Sequence, residues 1–308
     1  MDVRKIVSFG NSSFVISLPK KWVISHGLKK GDSVYVDERN SELIVSGAEK
    51  TKKAPSHAVI SAEGKSLAEL KTEIFAAYVN NYSMVSISGG NVKDISPDIK
   101  RIIHGLVGME VVEETASSIV VKDLMDLSEV SIDSLVRRMD ILLKSMLEDS
   151  AQPDRKESVS ERDKEVNRLA LLSARIFKAV TENPGLLRIF GNSYWDMYIA
   201  RQVAFQLEHI GDNVKRASRQ LGRKGNEDLR RIFSQLRSRY LEVMKVYYTK
   251  DKEAAYRLES DTRKFLHACD KLIEKNRDVT STRIIDNLNG MSKAMMYILR
   301  TVMESGSA

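Results

Sequence analysis

Apolar residues in the first 48 positions recur at every second place: Phe14, Ile16 and Leu18, then Val34 and Val36, then Leu43 and Val45. Period two marks strands, because successive side chains point to opposite faces. Pro19 suits the first position of a short helix, and Gly27 the left-handed residue that closes it. Gly31 with Asp32 marks a further turn. The order predicted over 1–48 is β-β-α-β-β. So short a segment with so few apolar positions hardly buries a core of its own, and oligomerisation is expected.

The stretch "AEKTKKAPS" at 48–56 is polar, lysine-rich and broken by proline, as a linker is. Beyond it "HAVISA" and "SMVSIS" predict strands, 66–80 and 94–107 predict helices, and "GMEVVEE" with "SSIVVKD" predicts a hairpin about Thr115-Ala116. Residues 57–123 therefore form a small β-α-β-α-β-β domain. It carries no glycine fingerprint and no nucleophile motif, and reads as a spacer or dimerisation element.

From Ser128 onward the period becomes helical. Ile132, Leu135, Val136, Met139, Leu142, Leu143, Met146 and Leu147 mark one apolar stripe. Val203, Leu207, Ile210, Val214, Ala217 and Leu221 step by 4, 3, 4, 3, 4. Ile284, Leu288, Met291, Met295, Ile298 and Val302 step identically, 81 residues later. Such spacing sets helices at the shallow angles of a bundle. "DKEVNRL" at 163 and "DKEAAYRL" at 251 echo one another. Two three-helix repeats, 127–222 and 225–304, are expected within a domain spanning 127–304.

Composition narrows the function classes. At 308 residues the chain is long enough for two or three domains. No run approaches the ~18 apolar residues that span a bilayer, and "MDVRK" opens no signal peptide. A cytoplasmic protein without membrane insertion is expected. The single cysteine, Cys269, leaves no disulfide framework or cysteine-based zinc site and fits a core position. Residues 1–53 hold ten Lys/Arg against six Asp/Glu, 54–125 hold six against nine, and 126–308 hold thirty-three against twenty-seven. The front segment is the most basic per residue, which suits a polyanionic partner. Catalytic signatures are missing: the sequence has no P-loop, no HExxH and no Ser/His/Asp set. No enzyme is expected.

The front segment, "RKIVSFGNSSFVISLPKKWVISHGLKKGDSVYVDERNSELIVS", resembles the AbrB/SpoVT/MazE family of swapped-hairpin DNA-binding domains. The shared frame is a basic first strand, a glycine turn, an "(I/L)P" step, a short helix ending in "GL", then "KKGD" and a final hairpin. The resemblance implies that two protomers interleave hairpins into one barrel-like dimer. It implies a DNA surface of Arg4 and Lys5, then Asn11, Ser12 and Ser13, then Lys20 and Lys21. Arg and Lys neutralise phosphates and small polar loop residues donate hydrogen bonds, so the chemistry stands independently. The alternative is that Lys20, Lys21, Lys29 and Lys30 only keep a small dimer soluble. Val23 and Ile24 stand where AbrB-type members often carry basic residues. Trp22 is expected as a core plug or dimer contact.

Residues 199–217, "IARQVAFQLEHIGDNVKRA", resemble the hallmark helix of the PhoU family, and "ERDKEVNRL" at 161–169 resembles that family's preceding helix. PhoU proteins are phosphate-signalling regulators built of two three-helix repeats, some of which hold metal on carboxylate motifs. The resemblance implies a divalent metal (Mg, Mn, Fe or Zn) on Asp163, Asn167, Glu208 and Asp212, an oxygen-rich set suited to hard cations. The competing reading pairs Asp212 with Arg216, four residues on, without metal. In the second repeat Asn289, Lys293 and Tyr297 replace the motif, so a second metal site is not expected.

The expected architecture is thus multidomain α+β: an AbrB-like swapped-hairpin β-barrel, a small α/β middle domain and an all-α PhoU-like pair of repeats. The combination resembles archaeal phosphate-uptake regulators. A transcriptional regulator is expected, binding double-stranded DNA as a homodimer or higher homo-oligomer, with the bundle sensing or docking. One rival is an adaptor that contacts a phosphate transporter or sensor kinase without binding DNA. Another is an antitoxin, though antitoxin tails are usually short and disordered and this body is patterned into helices.

Overall fold

The computed structural model describes residues 3–10, 12–39, 42–47, 56–150, 152, 155–190, 193–224, 227–275 and 278–305. The chain divides into two compact units, Met1–Ala54 and Pro55–Ala308.

The first unit follows the predicted order. Strands β1 (Val7–Phe9) and β2 (Ser13–Val15) pair antiparallel about Gly10, whose φ of +70° suits a residue without Cβ. Helix α1 (Lys20–Ser25) follows, closed by Gly27 at φ +63°. Strands β3 (Val34–Arg39) and β4 (Glu42–Gly47) form a second antiparallel pair. β2 stops at Val15, so Ile16 and Leu18 lie beyond the strand that their alternation predicts. Pro19 precedes α1 instead of opening it. No described residue of this unit is buried. Phe14 is 76% exposed and Leu43 68%.

The second unit begins with the α/β module. Its elements are β5 (His57–Ser61), α2 (Leu67–Val79), β6 (Met84–Ser88), α3 (Val92–His104), β7 (Met109–Glu114) and β8 (Ser118–Asp123). The sheet order is β5-β6-β8-β7, with β5 parallel to β6 and the other pairs antiparallel. Ile60, Val85, Ile87, Ile119 and Val121 alternate onto one face and bury against Leu70, Ile74, Tyr78, Ile99 and Ile103. A capping box starts α2: Ser66 Oγ accepts from Glu69 N, and Glu69 reaches back to Ser66 N at 2.8 Å. Asn81, in the left-handed region at φ +58°, turns the chain into β6. Helix α3 runs two residues earlier at its start than the pattern predicts and ends where Gly105 follows.

Beyond a 3-10 turn (Leu127–Glu129) come α4 (Ile132–Asp149), α5 (Lys156–Glu182), α6 (Pro184–Phe190), α7 (Tyr194–Lys224), α8 (Glu227–Thr249), α9 (Lys252–Lys275) and α10 (Val279–Glu304). The short α6 is not predicted by the periodicity; Pro184 opens it, where a missing N–H costs nothing. Every named residue of the three apolar stripes is buried except Leu142, which is partly covered. Cys269 is buried. Helices α7 and α10 come close at Gly290, where an added Cβ would fall 2.8 Å from Asn213 Oδ1.

Candidate nucleic-acid interface and carboxylate cluster

The residues expected to face DNA all belong to the first unit. Arg4 and Lys5 lie just before β1, Ser12 and Ser13 at the start of β2, and Lys20 and Lys21 in the first turn of α1. Asn11 lies outside the described residues. Arg4 Nη1 donates to Ser17 Oγ at 3.1 Å, which ties the segment before β1 to the chain after β2. Lys5, Ser12, Ser13, Lys20 and Lys21 are exposed. Among the described residues Lys5, Lys20 and Lys21 make no ion pair, so their charge is open to an external anion.

The supporting turns are built locally. Lys29 N donates to Asp32 Oδ2 at 2.7 Å, closing the "KKGD" turn and aligning the approach to β3. Trp22 is half-buried and packs its ring 4.5 Å from that of His26, whose Nδ1 lies 2.8 Å from Trp22 O. Trp22 thus packs against His26, the residue that ends α1.

In the helical body, Asp163 of α5 faces α7, which carries Glu208 and Asp212, and Asn167 lies one turn further along α5. Between them lies a cation that spacing alone does not reveal. Lys215 Nζ is bonded to Asp163 Oδ2 and sits 3.6 Å from Asp212 Oδ1. Arg216 Nη2 donates to Asp212 Oδ2 at 2.7 Å, the i,i+4 pair expected from the sequence. Asp163 is 1% exposed, and its Oδ1 and the Oδ1 of Asn167 are buried without a hydrogen-bond partner. Burial, and then the neighbouring Asp212, push the Asp163 carboxyl up against the pull of Lys215. Burial also raises Glu208, with Asp212 and Asp163 adding to it.

Two observations bear on metal. The orphaned oxygens of Asp163 and Asn167 are the hard donors that a divalent ion takes. Lys215, however, already stands against Asp163 and Asp212, and an ion held between them would have to displace its ammonium group. Among the described residues no cluster of three or more His, Cys, Asp or Glu has metal-ligand geometry. In the second half Asn289 Oδ1 is buried and unpartnered, while Lys293 and Tyr297 are exposed.

Besides Asp163, three more charged side chains are buried in the second unit: Asp140, Asp149 and Arg175. Asp140, 3% exposed, accepts from Tyr240 Oη at 2.8 Å, Tyr248 Oη at 3.1 Å and Lys144 Nζ at 2.8 Å. Burial, then the Asp140 carboxylate, holds the Tyr240 hydroxyl well above its ordinary range. Asp149 pairs with Arg162 and Arg155 and accepts from Ser158 Oγ at 3.0 Å. Burial opposes its charge, yet the Arg162 and Ser158 hydrogen bonds outweigh that and lower its pKa. Arg175, 1% exposed, joins α5 to the α/β module by an ion pair with Asp123 and a 3.0 Å bond from Nε to Asn81 Oδ1. Asn81 Nδ2 donates back to Arg175 O at 3.3 Å, and the guanidinium lies 4.7 Å over the Tyr78 ring. The signal in the sequence is a charged residue on a stripe position: Asp140 is four after Val136, and Arg175 three after Leu172.

Residues 7–56 match the family model described as "Antidote-toxin recognition MazE, bacterial antitoxin". The match places that segment among MazE/AbrB-type sequences, a superfamily of swapped-hairpin DNA-binding modules. It covers about a sixth of the chain and leaves the helical body unassigned. No curated protein and no solved structure matches the chain. None of the described helices is long and apolar enough to cross a membrane.

Proposed function

We propose that the chain is a DNA-binding transcriptional regulator whose N-terminal unit works as a two-copy head and whose helical body senses or docks. One observation carries this. No described side chain of the first unit is buried, although it holds Phe9, Phe14, Ile16, Val36 and Leu43. A strand module of this size needs burial from elsewhere. A second copy interleaving its hairpins supplies it, and the MazE-type match supports that reading. Lys5, Lys20 and Lys21, without ion pairs among the described residues, then double up on one dimer.

The phosphate-uptake assignment rests on the likeness of residues 161–169 and 199–217 to PhoU helices. It is supported by the packing of α5 beside α7, which brings those two segments together. In this reading partner or ligand binding to the body alters how the heads are presented, which requires unequal affinity for two arrangements. The divalent-metal proposal takes a conditional form: Asp163, Asn167, Glu208 and Asp212 would hold the ion, with Lys215 displaced.

Duplex binding across a salt series tests the regulator. Arg4, Lys5, Lys20 and Lys21 from two copies give at most about eight phosphate contacts, hence a slope of log K against log salt near −7. Lys20→Ala with Lys21→Ala removes four of them and brings the slope to about −4. No binding at low salt, with the double variant indistinguishable from the parent, overturns the regulator and favours the transporter or kinase adaptor.

A further inference from the structure

The two edges of the four-stranded sheet are unlike. The β7 edge carries Glu110, Glu113 and Glu114 and a bulge between Val111 and Glu113. Acidic side chains and bulges are devices that stop an edge from pairing with another chain. The β5 edge has none of them. Its sequence, His-Ala-Val-Ile-Ser, lacks acid, lysine and proline, and its register with β6 runs unbroken from His57↔Met84 to Ser61↔Ser88.

The bonding direction of β5 is fixed at both ends. Met84 N donates to Ser56 O at 3.1 Å, and Ala62 N donates to Ser88 O at 2.7 Å. In a parallel ladder alternate residues of an edge strand bond inward, so 56, 58, 60 and 62 serve β6. His57, Val59 and Ser61 therefore turn their N–H and C=O groups outward. Their side chains lie on the face opposite the core formed by Ala58 and Ile60. Val59 is 71% exposed there.

We propose that β5 is an interface for a second copy of this chain, pairing antiparallel with its own counterpart about Val59. Val59 then stands opposite the partner's Val59, and His57 opposite the partner's Ser61. The pairing closes up to about six backbone hydrogen bonds and sets two β-branched side chains against each other. No like charges meet, whereas self-pairing of β7 would oppose glutamates. The choice of a second copy rests on the two-copy head proposed above. Nine residues separate Gly47 from His57. Their reach is at most about 36 Å whatever path they take. A paired head therefore holds two β5 strands at high effective concentration.

The test uses the full chain with Val59→Cys carrying a nitroxide; Cys269 is buried and stays unlabelled. Light scattering is expected to give a dimer, and the spectrum strong dipolar broadening from Cα atoms about 5.5 Å apart. Adding Ser61→Pro, which removes one outward N–H, is expected to abolish the broadening and leave the dimer intact. The same label at Val112→Cys, beside the acidic edge, is expected to stay sharp. A dimer with an unbroadened label at residue 59 overturns edge pairing and leaves the head reading standing. Equal broadening at 59 and 112 overturns it as general association. A monomer overturns the head reading and this inference together.

Discussion

Arg175→Met cuts the joint between α5 and the α/β module, keeping an unbranched apolar stem and removing the guanidinium. Arg175 is 1% exposed and its partner Asp123 has a side chain 13% exposed. Removing one member of such a buried pair leaves an uncompensated charge, a loss of about 3–5 kcal/mol. The bond to Asn81 and the place over Tyr78 go with it. Against a total stability of ~5–15 kcal/mol, that is enough to loosen the module from the body. Adding Asp123→Asn removes the stranded charge, so the double variant should recover part of the loss. A coupling of about 2 kcal/mol between the two sites is expected. Native-state hydrogen exchange at β6 and β8 amides reads the local opening free energy directly. A loss below about 1 kcal/mol, or strict additivity of the two substitutions, would refute the view that this ion pair fastens the module to the helices.

Phe14→Asp replaces an exposed aromatic that a second copy is expected to cover. Losing about 1.5–3 kcal/mol of burial at each of two positions weakens dimerisation at least ~100-fold, measured by light scattering on dilution. Asp149 has a lowered folded pKa, so its stabilising contribution is present above the unfolded value near ~3.9 and is lost as pH falls through the lower folded value. Asp149→Asn should flatten the stability profile of the body below about pH 4 in acid titrations followed by circular dichroism. Lys215→Met empties the ammonium position beside Asp163 and Asp212; Mn²⁺ titration should show tighter binding than in the parent, and equal affinity would sink the displacement idea. Tyr240→Phe strips a hydroxyl from buried Asp140 and should cost about 1–3 kcal/mol in denaturant unfolding.

Element order was legible in the sequence because period two and period 3.6 stay unmixed along the chain. Val85 and Ile87, or Val203 through Leu221, read out their burial directly. The short α6 escaped because seven residues hold too little of a helical period to register. The early end of β2 escaped for a different reason. Alternation of Phe14, Ile16 and Leu18 reports which way side chains point, and says nothing of whether a partner strand is there to bond. At the carboxylate cluster, Asp212 with Arg216 was visible because both lie on one helix. Lys215 was not, because its partner Asp163 is on another helix, 52 positions away in the chain. Buried charges such as Asp140 and Arg175 show themselves only as interruptions of a stripe, and the partners that make them tolerable come from distant elements.

The uncovered apolar side chains of the first unit bear on how the protein is made. Translation delivers this unit before the larger one, and delivers it singly. A segment with no fully buried described residue gains little folding free energy by itself; on the two-copy reading proposed above, the yield of competent heads would grow with the square of chain abundance at low expression. Neighbouring ribosomes on one messenger would then be the natural place for two such segments to meet, before either body is finished.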